Sequence, residues 1–389
     1  MAQARKHKTS IDKARSRIAV VSPDYGMVGG AEMFAFELTE RLARQVDFSI
    51  HVFANHWRVG ENVSAFHKVP IVRFPRWLRP ISFAWLANQA IGRGGFDLIH
   101  SHTWLYAFDF LTHHGLPHAT WIKKVRKKRP GLFDRAVSSV ESKGILNQRR
   151  PLIMPVSSMG KLELQKAFNL PDNRLQVIHP GISVQRYLEP DQDQCRHEVR
   201  HRHNLGAEDV VALFVGMNFP LKGLDRIMRS ISDFTCQGTK HAALKLLVVG
   251  KGDIKKYSKT ARDLGIDKRV IFAGERKAIE KYFLASDFFV LMSHMDSFGI
   301  VVLEAMASGL PVLISDTVGA KDVIKQCDNG YVIGSEQYHQ EMETALKAMM
   351  QPVLRRELGT AARKVARQFD WENIAETVAN LYRQRLIAL

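Results

Sequence analysis

Cysteine is scarce in this 389-residue chain. Cys195, Cys236 and Cys327 are odd in number and far apart, so no disulfide framework and no C-x-x-C metal pair is available. A reducing cytoplasm is the expected setting. Long apolar runs are also missing. Segments such as "FFVLM" at 288–292 are too short for a helix that crosses a bilayer. The G-x-G-x-x-G dinucleotide fingerprint is absent, because "VGKGDIKKY" supplies Gly250 and Gly252 but no third glycine. Acids are sparse in the first half. Residues 1–185 carry 27 Lys and Arg against 13 Asp and Glu, a net of +14, whereas the remainder carries 29 against 26, a net of +3. The first half is therefore suited to an anionic partner: nucleic acid, a membrane surface or a phosphorylated substrate. The N-terminus "MAQARKHKTSIDKARSR" fits a basic surface tail better than a signal peptide.

The length suits two domains, and short apolar runs alternate with helical spacing in each half. "SRIAVVSPDYG", "DFSIHVFAN", "FDLIHSHT", "PLIMPVSS" and "RLQVIHPG" are expected strands of the first half. "DVVALFVGMN", "LKLLVVGKGD", "RVIFAGE", "DFFVLMS" and "PVLISDT" are those of the second. Helical patterns such as "GGAEMFAFELTERLAR" and "GLDRIMRSISDF" lie between them. This alternation predicts parallel sheets of doubly wound α/β type. Two such domains would face each other across a cleft, with ligand at the carboxyl ends of the strands. The first domain is expected at 1–185, a linker at 186–205, the second domain at 206–370, and a helix at 371–389 that packs back on the first. The histidine-rich "HEVRHRH" at 197–203 is read as a solvated helix or connector.

Several residues fall at expected strand ends. Gly29 and Gly30 follow the first strand and open a helix, where a backbone can approach a phosphate or sugar; a plain tight turn explains them equally well. His102 ends "FDLIHSHT", and Lys222 precedes the helix of "KGLDRI". Lone residues of these types are more often structural. "SHMDSFGIVVLEAMASGLPV" at 293–312 places Asp296 in a loop and Glu304 on the following helix. The free N–H groups of that helix would suit an anion, and Glu304 a diol.

In this order the motifs "GGAE", "HSH", "VIHPGISVQRY", "KGLDRI" and "DSFGIVVLEAMASGLPV" resemble the family 4 glycosyltransferases of GT-B fold over nearly the whole chain. "RPGLFDRAV", "HPGI" and "MNFPLKG" are most similar to the bacterial lipopolysaccharide-core glucosyltransferases. The resemblance implies a retaining enzyme that moves a sugar, expected to be glucose, from a nucleoside diphosphate, expected to be UDP, to a lipid-linked or phosphorylated glycan acceptor. It implies that Glu304 holds the ribose and Asp296 faces the transferred sugar. It places Phe298, Gly299, Ile300 and Val301 at the sugar and diphosphate through their backbone. Lys222 would neutralise the diphosphate, Gly29 and Gly30 would approach it, and His102 would lie near the reacting sugar. No cofactor and no metal is implied. Two positions depart from the family: Asp296 replaces the usual glutamate, and Met217 stands where an arginine is common. Arg186 is the candidate to supply the missing charge. A catalytically silent sugar-nucleotide or glycan binder is the alternative. No specific nucleic-acid motif is present. The run of cations Lys123, Lys124, Arg126, Lys127, Lys128 and Arg129 is expected on an anionic membrane, at the inner face of the plasma membrane. Phe83, Trp85 and Leu86 are expected in the core of an ordinary helix.

Overall fold

The computed structural model describes residues 15–27, 29–236 and 243–388. The basic N-terminal tail lies outside the described residues up to position 14. The strands are β1 (Ser16–Val21), β2 (Asp24–Tyr25), β3 (Phe48–Ala54), β4 (His56–Trp57), β5 (Ala65–Lys68), β6 (Leu98–Ser101), β7 (Phe110–His113), β8 (Leu152–Pro155), β9 (Val210–Val215), β10 (Leu244–Val249), β11 (Val270–Gly274), β12 (Phe288–Leu291), β13 (Val312–Ser315) and β14 (Gly330–Ile333). The helices are α1 (Gly30–Leu42), α2 (Leu78–Gly92), α3 (His118–Trp121), α4 (Leu132–Ile145), α5 (Ser158–Phe168), α6 (Gln185–Leu188), α7 (Gln192–Arg202), α8 (Leu224–Cys236), α9 (Ile254–Asp263), α10 (Ile279–Ala285), α11 (Ile300–Ala307), α12 (Tyr338–Met349), α13 (Pro352–Ala366) and α14 (Trp371–Ile387).

Two six-stranded sheets have the orders β5-β3-β1-β6-β7-β8 and β11-β10-β9-β12-β13-β14. The registered pairs in both are parallel. Each chain path starts at a central strand, winds outward to one edge, then returns to wind to the other. Central strands buried on both faces need continuous apolar sequence. "FFVL" of β12 and "VLIS" of β13 supply it and are buried throughout. The reversal of winding leaves a crevice at the carboxyl ends of β1 and β6 in one sheet, and of β9 and β12 in the other.

The described residues group into two compact units. One holds residues up to Leu111, Pro130–Leu152 and the chain from Ala375; the other holds Thr112–Arg129 and Ile153–Ile374. This division differs from the expected one. Residues 186–205, expected as a linker, contain α6 and α7. Cys195 and Val199 bury one side of α7 against α10, and the Arg200 guanidinium meets Asp287 at 2.8 Å. Residues 112–129 and 153–185 group with the second unit. Asp322 binds two points of the latter segment, accepting from the Ser158 N–H at 2.6 Å and contacting His179 Nε2 at 3.1 Å. At the far end of the chain, Tyr382 of α14 is buried against Phe48, His100 and Phe110 of the first sheet.

Two sequence expectations fail locally. "RLQVIHPG" forms no strand. Gln176 and Ile178 donate to the carbonyls of Ile153 and Pro155, but only the Ile153–Leu175 bridge closes, and Pro180 has no N–H to extend it. Trp85 is not a core residue. Phe83, Ala84, Ala87 and Ile91 form the buried stripe of α2, and Trp85 falls off that stripe into solvent.

Candidate functional site

In the first unit the crevice at β1 and β6 collects Gly29, Gly30 and His102. Gly29 caps α1 at φ +151°, and the Glu32 carboxylate lies 2.0 Å from where a Cβ on Gly29 would stand. The carboxylate ends a flexible side chain and can move aside, so it is the φ of +151° that disfavours a side chain there. Nothing crowds Gly30 within 4 Å, so the start of α1 stays open. The His102 N–H continues the sheet by donating to the Val21 carbonyl at 2.9 Å. Its imidazole is buried, 4.4 Å from the His100 ring and 5.9 Å from Phe34. Burial, reinforced by His100, pushes its pKa well below the usual histidine range. His102 is thus a neutral imidazole at physiological pH, suited to hydrogen bonding with a hydroxyl rather than to carrying charge.

In the second unit the crevice at β9 and β12 brings Lys222, Asp296 and α11 together. Gly223, at φ +71°, presses the loop after β9 onto the end of β12: a Cβ there would stand 1.8 Å from the Met292 carbonyl oxygen. The His294 N–H also bonds the Leu221 carbonyl at 2.9 Å. This close approach carries the Lys222 ammonium onto the Asp296 carboxylate, with which it forms an ion pair. Side-chain exposures of 23% and 11% show the pair to be only partly open to water.

Asp296 is fixed from behind. Its N–H donates to Thr317 at 3.1 Å, its carbonyl accepts from Gly319 at 3.0 Å, and the Phe298 carbonyl accepts from Ala320 at 2.8 Å. Gly319 allows this seam, since a Cβ would approach the Ser297 carbonyl oxygen to 2.1 Å. Gly299 then caps α11 in the left-handed region at φ +82° without a side-chain bond, which leaves N–H groups of the first turn available to an anion. Phe298 is buried, and Ile300 and Val301 are half-buried.

Glu304 stands one turn further along α11. Burial pushes its carboxyl pKa up, and Glu280 adds to this, while the Tyr187 hydroxyl and Arg186 favour the ionised form. Arg186 pairs with Glu280 at 2.9 Å, and its charge also acts on Glu304. The structure therefore brings Arg186 to the Glu304 end of the site, not into the Lys222–Asp296 pair. Sequence reasoning missed Tyr187 and Glu280. Tyr187 was visible in "QRY", but Glu280 in "RKAIE" carries no motif. It also missed His179, whose ring lies 5.5 Å from Phe298 while Asp322 holds its Nε2. Lys251, exposed between Gly250 and Gly252 at the end of β10, has no ion-pair partner among the described residues.

The histidines of α7 do have H-E-x-x-H spacing, at His197, Glu198 and His201. They do not build a zinc site. Glu198 is held by Lys281 at 2.7 Å and by Arg202 at 2.9 Å, which places cations where a metal would need ligands. Among the described residues no group of three or more His, Cys, Asp or Glu could hold a metal ion.

A family model described as Glycosyltransferase Family 4 matches residues 28–186, and one described as Glycosyl transferases group 1 matches residues 196–365. An uncharacterized glycosyltransferase of Methanocaldococcus jannaschii is 25% identical, over 94% of this chain and 98% of its own. The lipopolysaccharide glucosyltransferase WaaG of Escherichia coli K12 is 29% identical over 56% of this chain and 58% of its own. A D-inositol 3-phosphate glycosyltransferase of Acidothermus cellulolyticus is 25% identical over 94% and 87%. Among solved structures, WaaG, described as a glycosyltransferase involved in lipopolysaccharide biosynthesis, superposes with a TM-score of 0.76 at 21% identity, covering 94% of this chain and 99% of that one. Anabaena HepE in complex with UDP-glucose superposes with a TM-score of 0.69 at 17% identity, covering 95% and 99%.

Proposed function

We propose, for a chain that belongs to the family 4 glycosyltransferases and has their GT-B fold, that it transfers glucose from UDP-glucose, with retention, to a lipid-linked or phosphorylated glycan. The observation that carries this reading is the crevice at β9 and β12: a cation from the loop after β9 meets an open helix start and a carboxylate on the passage after β12. Lys222 and the first N–H groups of α11 meet the diphosphate, and Glu304 accepts hydrogen bonds from the ribose hydroxyls. The backbone of Phe298, Gly299, Ile300 and Val301 borders the sugar and diphosphate. UDP and glucose are chosen because HepE is described with UDP-glucose and WaaG as a glucosyltransferase.

In this reading the bond from the sugar C1 to the phosphate oxygen breaks, and a new bond to the acceptor oxygen forms on the same face. The departing phosphate oxygen takes the proton of the acceptor hydroxyl. Charge on that phosphate is stabilised by Lys222 and the α11 donors. No metal or cofactor is assigned a step. Asp296 and the neutral His102 are assigned to sugar hydroxyls, Gly29 and Gly30 to an anion through the open start of α1, and Arg186 to the Glu304 end of the donor site.

The acceptor assignment draws on charge. Of the cations at 123–129, Lys124 is engaged by Glu163 at 2.7 Å and Arg126 stacks on Trp121 at 5.4 Å. Lys123, Lys127, Lys128 and Arg129 have no ion-pair partner among the described residues. We assign them to an anionic membrane surface at the inner face of the plasma membrane, where a lipid-linked acceptor would be met. No described helix is long and apolar enough to span a bilayer.

A panel of nucleotide-sugars tested for protection against thermal unfolding identifies the donor, since a bound ligand stabilises by mass action. Proton NMR of the product then reads the anomeric configuration. Protection by UDP-glucose with an α-linked product is expected; an inverted product or no protection would overturn the reading. Protection without turnover would favour the silent binder.

A further inference from the structure

The loop before α2 and the outward side of α2 carry large apolar side chains that the core does not use. Phe74 is 87% exposed, Trp85 55% and Leu132, at the start of α4, 67%. Trp77 and Val72 are also exposed. Single exposed apolar residues are ordinary, but these belong to one tied surface. The Val72 N–H donates to the Ser82 hydroxyl at 3.0 Å, which fastens the loop onto α2 one turn from Trp85. The Arg76 guanidinium stacks on Phe133, 4.9 Å from its ring centre, and α2 packs on α4, which joins Leu132 to the same surface.

The charges on this surface have one sign. Arg73, Arg76 and Arg79 are exposed within it, and the sequence has no Asp or Glu from residue 62 to residue 96. Large apolar tips among arginines fit a headgroup boundary: rings enter the acyl region while guanidinium groups remain at the phosphates. A two-fold dimer through the same face would set the arginines against their own copies.

We propose that Phe74, Trp77, Trp85 and Leu132 form an apolar wedge that inserts into an anionic phospholipid bilayer, with Arg73, Arg76 and Arg79 on lipid phosphates. This deepens the membrane part of the proposed function. It rests on that reading for the meaning of the contact, while the contact itself is measured separately. Attraction by the cations at 123–129 fades with salt, whereas an inserted wedge leaves a salt-resistant remainder.

The test is co-sedimentation of the full chain with phosphatidylcholine vesicles, with and without phosphatidylglycerol, at low and high salt. The wild type should retain binding to the anionic vesicles at high salt. The double substitution Phe74→Ser and Trp85→Ser should weaken it by on the order of tenfold or more. These side chains are exposed, so thermal unfolding should be unchanged. Brominated lipid should quench tryptophan fluorescence, and less so in Trp85→Phe. Unaltered high-salt binding of the double variant, or no quenching, would overturn the wedge. So would loss of self-association, or of RNA binding, in the double variant with vesicle binding intact, since these would mark a second copy or a nucleic acid as the occupant. If serine at 123–129 leaves binding unchanged while the aromatic variant loses it, the electrostatic reading fails and the wedge stands.

Discussion

Asp296→Asn should tighten UDP binding. The carboxylate of Asp296 occupies the ammonium of Lys222 in the free protein. A diphosphate at Lys222 must share that ammonium with a second anion and endure its repulsion. Two unit charges about 5 Å apart interact by about 3 kcal/mol at an effective dielectric of about 20. The Lys222 side chain is 23% exposed and that of Asp296 11%, so water screens part of this. Halving it leaves roughly 1.5 kcal/mol, or about tenfold in affinity. Asparagine keeps the shape and the backbone seam to Thr317 and Gly319, so stability should fall by only about 1 kcal/mol. Calorimetric titration with UDP is the assay. Turnover should nevertheless drop, because tighter UDP leaves more slowly and Lys222 has lost its anchor. Unchanged or weaker UDP binding by a folded Asp296→Asn protein would refute the reasoning.

Glu304→Gln should weaken UDP more than it weakens pyrophosphate, because an amide offers one acceptor oxygen to the ribose diol where a carboxylate offers two; equal losses for both ligands would remove the ribose role. In the proposed role the ionised form of Glu304 accepts from the diol, and burial raises its pKa. UDP affinity should therefore fall with falling pH, and the fall should begin at a higher pH than an ordinary glutamate would give; a titration series across the acid range checks this. His102 stays neutral in the folded state because its pKa is lowered. Unfolding then takes up a proton below about pH 6.5, so stability should decline with falling pH through that region, and His102→Asn should flatten the slope in thermal melts. Serine at Lys123, Lys127, Lys128 and Arg129 should reduce low-salt binding to anionic vesicles and leave donor binding intact.

The doubly wound sheets were legible because central parallel strands are continuous apolar runs, as "VALFV" and "FFVL" show. Strands β5, β7 and β14 were not. They have four residues each, and "AFHK" and "FLTH" are half polar, so no run stands out. The site was legible where it is local in sequence. Asp296, Gly299 and Glu304 lie on one strand–loop–helix passage, and its spacing can be read. The Lys222–Asp296 pair could not be read, because it depends on Gly223 letting two loops 74 residues apart approach each other. Arg186 shows the same limit. Its charge was visible, but its partner Glu280 lies on α10, and only the packing of α6 and α11 around α10 reveals which end of the site it serves. Trp85 was misread because helical spacing marks a face only when the stripe that reaches the core is known.

The most direct measurement is calorimetric titration of UDP-glucose into the wild type and into Lys222→Ala, with the fold of each checked by thermal melting. One site is expected on the wild type, with a loss of about tenfold or more in affinity when the Lys222 ammonium of the β9–β12 crevice is removed. Equal affinities in two folded proteins, or no binding of UDP-glucose by the wild type, would contradict it.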